Sequence, residues 1–313
     1  MTDLVTLGEA MLSVSTTETG PLAPGRTARL SFAGAEATVA IGVARQGHRA
    51  SWIGVVGDDA PGAMILDSLR AEGVDVSRVR TDGSVPTGLM LRQRRTADRT
   101  LAAYYRKDLA GSRLGAEDVD AALIAEARVL HVTGITPALG AGPREAVARA
   151  VQIARAAGTA VSLDVNHRSL LWSRQEAAAA LLPLLKEADI VFAGLDEARL
   201  FTEAGDPAEA ARALAALGPG ECVIKLGSDG ALALVDGEVL TQPAVPVTAL
   251  DPIGAGDAFV AGYLAARLDG APPVGRLRTG AICGAFSVSV AGDWEGLPRR
   301  AEHSLLAGDD VQR

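Results

Sequence analysis

Asp257 lies near the end of a glycine-rich segment, Asp251-Pro-Ile-Gly-Ala-Gly-Asp257-Ala-Phe, which runs into a long apolar stretch of helical period. The two glycines permit a tight turn at the start of a helix. The free N–H groups and partial positive charge of a helix N-terminus attract anions. This glycine turn (Gly254, Ala255 and Gly256) therefore indicates either an anion site faced by the Asp257 carboxylate or an ordinary helix start. From these residues alone, both interpretations stay open.

Two more segments carry polar groups where predicted strands end. Asn166 and Arg168 follow the predicted strand Ala160–Asp164, and strand C-termini are where α/β proteins place ligands. We therefore expect both side chains to reach a nucleotide phosphate or an anionic substrate. Lys225-Leu-Gly-Ser-Asp-Gly230 follows another apolar strand, and its Gly-Ser-Asp-Gly turn also suits a plain hairpin.

A third candidate site lies in the segment Ala103-Tyr-Tyr-Arg-Lys107. Strand alternation places Tyr104 and Arg106 on one face and Tyr105 on the other. An arginine can hold a carboxylate with two parallel hydrogen bonds, and a tyrosine hydroxyl can add a third. A solvated edge strand often carries the same residue types, so this pattern alone does not separate the two interpretations.

These residues must be positioned by an α/β fold, because short β-branched runs alternate with Ala- and Leu-rich segments of helical period. The predicted strands of the main sheet are Leu4–Leu7, Ala50–Val56, Arg128–Val132, Ala160–Asp164, Ile190–Ala193, Cys222–Leu226 and Ala231–Val235. The predicted helices are Ala37–Gln46, Pro61–Ala71, Glu117–Ala125, Pro143–Ala157, Glu176–Lys186, Pro207–Leu217, Ala255–Leu268 and Val274–Ala291. We expect one domain over residues 1–313, with a mostly parallel central sheet between two helical layers.

Two stretches, about 10–32 and 85–107, read as strands and turns without an intervening helix. The predicted strands there are Met11–Ser15, Arg29–Phe32, Thr87–Gln93 and Thr100–Arg106. Such strands would form a small separate sheet rather than join a parallel one. We predict that this sheet is a lid.

Bulk composition excludes several functional classes. The 313 residues carry a formal net charge of −8 with acidic and basic groups dispersed, which argues against a nucleic-acid or anionic-membrane partner. No apolar run approaches the roughly 20 residues of a membrane span, and we predict no signal peptide. Cys222 and Cys283 fit buried, reduced thiols, which favours the cytoplasm. The four histidines show no zinc-ligand spacing.

The segment that contains Asp257 resembles the D-T-x-G-A-G-D-x-F signature of the ribokinase family, also called PfkB carbohydrate kinases. In that family the last Asp is the catalytic base, and the Gly-Ala-Gly amides bind the transferring phosphate. The resemblance implies these roles for Asp257 and the glycine turn, with ATP as phosphate donor. Pro252 stands where the signature has Thr, so a hydroxyl contact is lost.

Other matches extend the resemblance over roughly residues 4–300. Gly34 matches one glycine of the N-terminal Gly-Gly signature, whereas Ala33 and Thr38 depart from it. The family's K-x-G-x-x-G turn implies nucleotide contacts, and its N-x-x-E segment implies a Glu that organises Mg²⁺ through water, although Gly194 replaces the Asn here. The resemblance implies that the nucleotide-site residues are Lys225, Gly227, Ser228, Gly230, Gly254 and Gly256, and that the indirect metal residue is Glu197. Asn166 joins the nucleotide site because it follows a strand end.

The runs Asp164-Val-Asn-His-Arg-Ser-Leu-Leu-Trp172, Tyr104-Tyr-Arg-Lys107 and His131-Val-Thr-Gly-Ile-Thr136 resemble those of one branch of the family. That branch phosphorylates 2-keto-3-deoxygluconate. In that branch a Tyr and an Arg of a lid strand, and an Arg after a sheet strand, hold the sugar acid, which implies these roles for Tyr104, Arg106 and Arg168. Met90 stands where the branch usually has an aromatic residue, and it can line the same pocket. Gly34 completes the implied substrate site.

Two alternatives remain from the sequence. One is a kinase of the same fold for a neutral sugar such as fructose, and the other is a non-catalytic nucleotide- or sugar-binding protein. A dinucleotide oxidoreductase is disfavoured because the first strand runs into Gly8-Glu-Ala-Met rather than G-x-G-x-x-G. The lid sheet also predicts a homodimer or a dimer-based oligomer.

Overall fold

A computed structural model describes residues 2–96 and 99–306 of the protein, and its largest feature is a central β-sheet. The eight strands of this sheet lie in the order β14-β13-β12-β11-β10-β9-β1-β4. At one edge β13 is antiparallel to both of its neighbours, β12 and β14, and the six strands from β12 to β4 pair in parallel. The strands are β1 (Leu4–Leu7), β4 (Ala50–Ile53), β9 (Val129–Thr133), β10 (Ala160–Asp164), β11 (Ile190–Gly194), β12 (Glu221–Lys225), β13 (Ala231–Val235) and β14 (Glu238–Gln242). This confirms the predicted mostly parallel sheet.

Helices cover both faces of the sheet. They are α1 (Ala35–Arg45), α2 (Ala60–Ala71), α3 (Ala121–Ala125), α4 (Ala141–Ala157), α5 (Arg174–Glu187), α6 (Leu195–Ala198), α7 (Pro207–Ala215), α8 (Ala255–Leu268) and α9 (Pro273–Val288). Short 3₁₀ turns occupy Ala110–Arg113, Ala116–Asp118, Thr136–Leu139, Gly227–Asp229 and Arg300–Leu306. Two apolar cores result: Val5 and Leu7 of β1 pack with α4, α5 and α7, whereas Leu4 packs with α1, α8 and α9. The three-layer α/β/α prediction is confirmed.

A second sheet of four strands is formed by the two stretches predicted to lack helices. Its order is β3-β2-β7-β8, from β2 (Met11–Thr16), β3 (Ala28–Ala33), β7 (Leu89–Arg94) and β8 (Thr100–Tyr105). β2 and β7 pair in parallel and the two outer pairs are antiparallel. Residues 97 and 98 of the predicted lid stretch lie outside the described residues, as do residue 1 and residues 307–313 of the predicted domain.

The predicted strand Ala50–Val56 is wrong as one element. The chain leaves the central sheet at Gly54, and β5 (Val55–Gly57) pairs instead with β6 (Arg80–Asp82). A side chain at Gly54 would overlap the buried indole of Trp52 and lie 2.8 Å from the Gly8 carbonyl oxygen. At this point the apolar run Ala50–Val56 stops pairing with β1 and begins to pair with β6.

One other predicted element was also wrong, and the edge strand β14 was missed. The predicted helix Glu117–Ala125 is interrupted, because Asp120 caps α3 by accepting the Leu123 N–H at 2.9 Å. β14 was not predicted, although Asp236-Gly237 has both φ values positive (51° and 80°), as a two-residue hairpin turn needs. That dipeptide is the signal that sequence reasoning passed over.

Among the described residues, no helix is long and apolar enough to cross a bilayer. Cys222 and Cys283 are both buried and free, as predicted.

We predict that Gly54→Ala lowers the free energy of unfolding by about 1–3 kcal/mol, because the new methyl group would overpack Trp52. The measurement is urea unfolding, and Gly83→Ala is the matched control because a Cβ there meets nothing within 4 Å. A Gly54→Ala midpoint equal to that of the control would contradict this account of the strand break.

Candidate active site

A cleft of about 1000 Å³ opens between the second sheet and the carboxyl edge of the central sheet. Met90, Tyr104 and Arg106 line it from the second sheet. From the central domain the lining includes the strand-end and helix-start residues Gly34, Asn166, Arg168, Glu197, Lys225, Gly254, Gly256 and Asp257. The fold thus brings most of the sequence-predicted site residues, from seven separate parts of the chain, to one cavity.

Asp257 lies in the first turn of α8, where its Oδ1 accepts a hydrogen bond from Asn166 Nδ2 at 3.2 Å. Burial raises the pKa of this carboxyl to about 6, with the Asp164 carboxylate adding to the rise and Arg168 and Lys225 opposing it. Asp257 is still mostly ionised at neutral pH, but it is a stronger base than a solvated aspartate.

Asn166 is held in an unusual backbone conformation beside this base. Its φ is 38°, in the left-handed region that asparagine tolerates better than most residues. The side chain is 5% exposed, so its amide is fixed towards Asp257. The nucleotide contact that the strand-end position predicts for Asn166 remains a prediction.

The glycine turn has the geometry of an anion site. Gly254 is the N-cap of α8 with φ 79°, and a Cβ there would overlap the carbonyl oxygen of Asp293. Only glycine fits this position. The amides that follow lie at the start of a 14-residue helix, where they have no intrahelical acceptor. Gly254 and Gly256 line the cleft on either side of Ala255.

Lys225 forms a buried ion pair at the end of β12. Its Nζ donates to both carboxylate oxygens of Asp164, at 2.8 and 2.7 Å. Although burial disfavours the ammonium, Asp164 and then Glu197 keep the pKa of Lys225 above its ordinary value. The ammonium charge therefore persists. It lies beside the glycine turn, because Nζ is 3.6 Å from the position that a Cβ of Gly256 would occupy.

Gly227, Ser228 and Gly230 form the turn between β12 and β13, so the hairpin interpretation of this segment is confirmed. Gly227 and Ser228 are exposed. Within the described chain, this turn stands beyond the residues that line the cleft. A nucleotide contact from it remains a prediction.

Glu197 caps the start of α6 and faces the cleft. Its Oε1 accepts the His167 N–H at 3.0 Å, and its Oε2 accepts the Gly194 N–H at 2.7 Å. Each oxygen keeps lone pairs for water. Within residues 2–96 and 99–306 there is no cluster of three His, Cys, Asp or Glu that could hold a metal directly.

The same cleft carries the predicted substrate residues. Arg106 pairs with the buried carboxylate of Glu9, and its guanidinium lies over the Tyr104 ring, 5.6 Å from the centroid. Both Tyr104 and Arg106 line the cleft, as strand alternation predicts. Gly34 begins α1, where a Cβ would lie 2.5 Å from the Glu9 carbonyl oxygen.

Sequence reasoning missed three acidic residues of this cleft, namely Glu9, Glu36 and Asp293. Burial raises the pKa of all three carboxyls, that of Asp293 to about 7. Glu36 Oε1 accepts hydrogen bonds from Thr133 at 2.7 Å and Thr136 at 2.5 Å. Glu9 follows the end of β1, so the strand-end rule that found Asn166 could also have found it.

Comparison with known proteins defines the class. The model of the pfkB family carbohydrate kinases matches residues 1–300. The 2-dehydro-3-deoxygluconokinase of Thermoproteus tenax is 38% identical, covering 98% of this chain and 95% of that protein. The 2-dehydro-3-deoxygalactonokinase of Haloferax volcanii is 33% identical, covering 98% of each chain. An E. coli protein assigned as ribokinase II, solved with ATP and Mg²⁺, superposes with a TM-score of 0.91 at 26% identity, covering 98% of this chain and 99% of that one.

A helix-start anion site with a buried carboxylate, under a small β-sheet on a three-layer α/β/α domain, is the arrangement of a carbohydrate kinase. The chain belongs to the pfkB family of these enzymes.

We predict that Asp257→Asn is more stable than the wild type at pH 8. The folded-state pKa of about 6 lies above the ordinary value of 3.8, so folding penalises the ionised carboxylate. That penalty is complete above pH 6, at up to about 3 kcal/mol, and fades as the pH falls towards 4. Unfolding by urea at pH 5 and pH 8 measures it.

Asp229→Asn, in an exposed turn, is the control and should match the wild type at both pH values. An Asp257→Asn variant that is less stable than the wild type at pH 8 would contradict a raised pKa of the Asp257 carboxyl.

Proposed function

We propose that the protein transfers the γ-phosphate of ATP to the 6-hydroxyl of 2-keto-3-deoxygluconate, the sugar acid also called 2-dehydro-3-deoxygluconate. The observation that carries the proposal is the common cleft, which is lined by Asp257 and the glycine turn as well as by Tyr104 and Arg106. The names of the T. tenax and H. volcanii relatives support a keto-deoxy sugar acid and leave both C4 epimers as candidates.

The proposed chemistry uses Asp257 as the base. Its carboxylate accepts the proton of the sugar hydroxyl, the hydroxyl oxygen bonds to the γ-phosphorus, and the bond to the bridging oxygen breaks to release ADP. The transition state is loose and anionic, so fixed donors matter more than covalent help. The amides of Gly254, Ala255 and Gly256 are the fixed donors, and Met90 and Gly34 shape the pocket that orients the sugar.

The sugar carboxylate is proposed to bind Tyr104, Arg106 and Arg168. Arg106 is already paired with Glu9 in this structure, so its side chain is held at the cleft before substrate arrives. Arg168 is exposed at the cleft mouth. Arg168 supplies a second positive charge. This charge is needed because the cleft also contains several carboxylates, which would otherwise repel the carboxylate of the sugar acid.

The nucleotide is proposed to lie along Asn166, Lys225 and the turn with Gly227, Ser228 and Gly230. The Lys225 ammonium lies beside the glycine turn and supplies positive charge for the phosphates. Mg²⁺ would be organised by Glu197 through water, because each Glu197 oxygen has accepted only one backbone hydrogen bond. When bound, the ion neutralises phosphate charge.

One observation favours a second candidate, a kinase of a neutral sugar such as fructose. Arg106 already has an anionic partner in Glu9, so it needs no substrate carboxylate for its charge to be balanced. Under this alternative, Arg106 serves packing, and its loss would leave substrate affinity nearly unchanged. The non-catalytic alternative is disfavoured by the base and glycine turn, which lie together in the cleft.

A homodimer is part of the proposal. Tyr104 faces the cleft, so alternation and strand register turn Leu30, Leu101 and Tyr105 to the other face of the second sheet, where all three are exposed. An exposed apolar sheet face is a typical pairing surface. Closure of the second sheet over the substrate would exclude water and limit ATP hydrolysis.

We also propose a cytoplasmic location. Burial raises the pKa of the Cys222 and Cys283 thiols to about 12, so both stay protonated and inert. Free buried thiols are typical of a reducing compartment, which is also where ATP is available.

We predict that the purified protein with ATP and Mg²⁺ releases ADP selectively with keto-deoxy sugar acids. The panel contains 2-keto-3-deoxygluconate, its galactose epimer, fructose, ribose and adenosine. Arg106→Gln should raise the KM for the acid by about tenfold to a hundredfold, because a charge-assisted hydrogen bond is lost. Any turnover with neutral sugars should change little.

Arg95→Gln is the matched control, since Arg95 is exposed in the same hairpin, and it should leave all rates unchanged. Selective turnover of a neutral sugar, or an unchanged KM for the acid in Arg106→Gln, would instead support the second candidate.

A further inference from the structure

Arg92 is a charged residue of β7 in the second sheet, yet it is only 5% exposed. Its Nη2 donates to Asp251 Oδ2 at 2.6 Å, and its Nη1 donates to Asp293 Oδ2 at 3.1 Å. Neither carboxylate belongs to the second sheet. Both lie in the two chain segments that flank the glycine turn, so Arg92 connects the second sheet to the surroundings of that turn.

Asp251 and Asp293 in turn fix the glycine turn. Asp251 Oδ1 accepts the Ile253 N–H at 3.2 Å, and Asp251 Oδ2 accepts the Gly292 N–H at 3.3 Å. The backbone of Asp293 lies against Gly254 so closely that a side chain there would overlap it. A movement of either aspartate would therefore move the start of α8.

Other contacts join the second sheet to the same segment without reaching its carboxylates. Arg29 of β3 donates to the Ala291 carbonyl oxygen at 2.7 Å, and the Phe32 ring lies 5.1 Å from that of Trp294. These contacts hold residues 291–294 against the sheet. Arg92 differs because it alone among these contacts also bonds Asp251, on the other side of the glycine turn.

We propose that Arg92 is a positioning residue that sets the alignment of the glycine-turn amides according to the position of the second sheet. The proposal rests on phosphoryl transfer at this site and adds a residue that does not touch the sugar or the nucleotide. Without Arg92, the buried carboxylates of Asp251 and Asp293 would lack their shared cation. They would then repel each other or take up protons, and the segments that they hold would separate. Burial already raises the pKa of Asp293 to about 7 with Arg92 in place.

The test compares Arg92→Met, Arg92→Lys and the control Arg29→Met, with thermal unfolding to verify folding. Arg92→Met should lower kcat by about tenfold to a hundredfold, because misalignment of about 1 Å has this effect. The sugar KM should stay within about threefold, since Tyr104 and Arg106 are untouched. Arg92→Lys should recover part of kcat, because a lysine can reach one carboxylate but not bridge two. Arg29→Met should keep the wild-type kcat.

A second measurement makes the test independent of the sugar. The ratio of AMP-PNP affinity to ADP affinity reports how well the site binds the terminal phosphate, and titration calorimetry measures it without turnover. Arg92→Met should lower this ratio while Arg29→Met does not. If Arg92→Met fails to fold, Asp293→Asn should lower the ratio in its place, since a neutral amide binds Arg92 more weakly.

An unchanged ratio in the folded Arg92→Met protein, or equal losses in Arg92→Met and Arg29→Met, would overturn the proposal. A wild-type protein that turns over none of the sugars would contradict the proposed function instead. In that case the affinity ratio would still decide the role of Arg92.

Discussion

The balance of charge around the Asp257 carboxylate is the constraint on which the rest of the site depends. A base must stay ionised at neutral pH, yet the burial of Asp257 raises its pKa to about 6. Asp164 would raise it further if its own charge were unpaired, and the Lys225 ammonium prevents this by binding both of its oxygens. The ion pair and Arg168 therefore keep Asp257 usable as a base.

The parallel sheet makes this balance possible because its strand ends meet at one edge. β10 brings Asp164 and Asn166, β12 brings Lys225, and the start of α8 brings Asp257 opposite them. Each group is anchored by a strand or helix that is buried on both sides. The charges can then be held at fixed distances, which is what stabilisation of an anionic transition state requires.

Much of this arrangement was predictable from local sequence. The helical period after Asp257, the glycine turn and the polar residues after Ala160–Asp164 each carry a local signal. The acidic residues Glu36 and Asp293 do not, because their importance arises from partners distant in the chain, such as Thr133 for Glu36 and Arg92 for Asp293.

The same limit explains the error at Gly54, whereas the missed strand β14 had a local signal in Asp236-Gly237. The break at Gly54 depends on its contact with Trp52 and Gly8, and composition does not reveal that contact. The pairing of Lys225 with Asp164 likewise joins residues 61 positions apart. Local periodicity fixes elements, whereas the ion pairs that tune the base follow from the packing of those elements.

The most direct test of the role of Asp257 is the single-turnover rate of phosphoryl transfer in the wild type and in Asp257→Asn, with ATP and sugar binding measured by calorimetry. The predicted result is a rate loss of about a hundredfold or more with both affinities nearly retained, because only the proton acceptor is removed. A rate within about threefold of the wild type would show that the hydroxyl loses its proton elsewhere and would contradict the account.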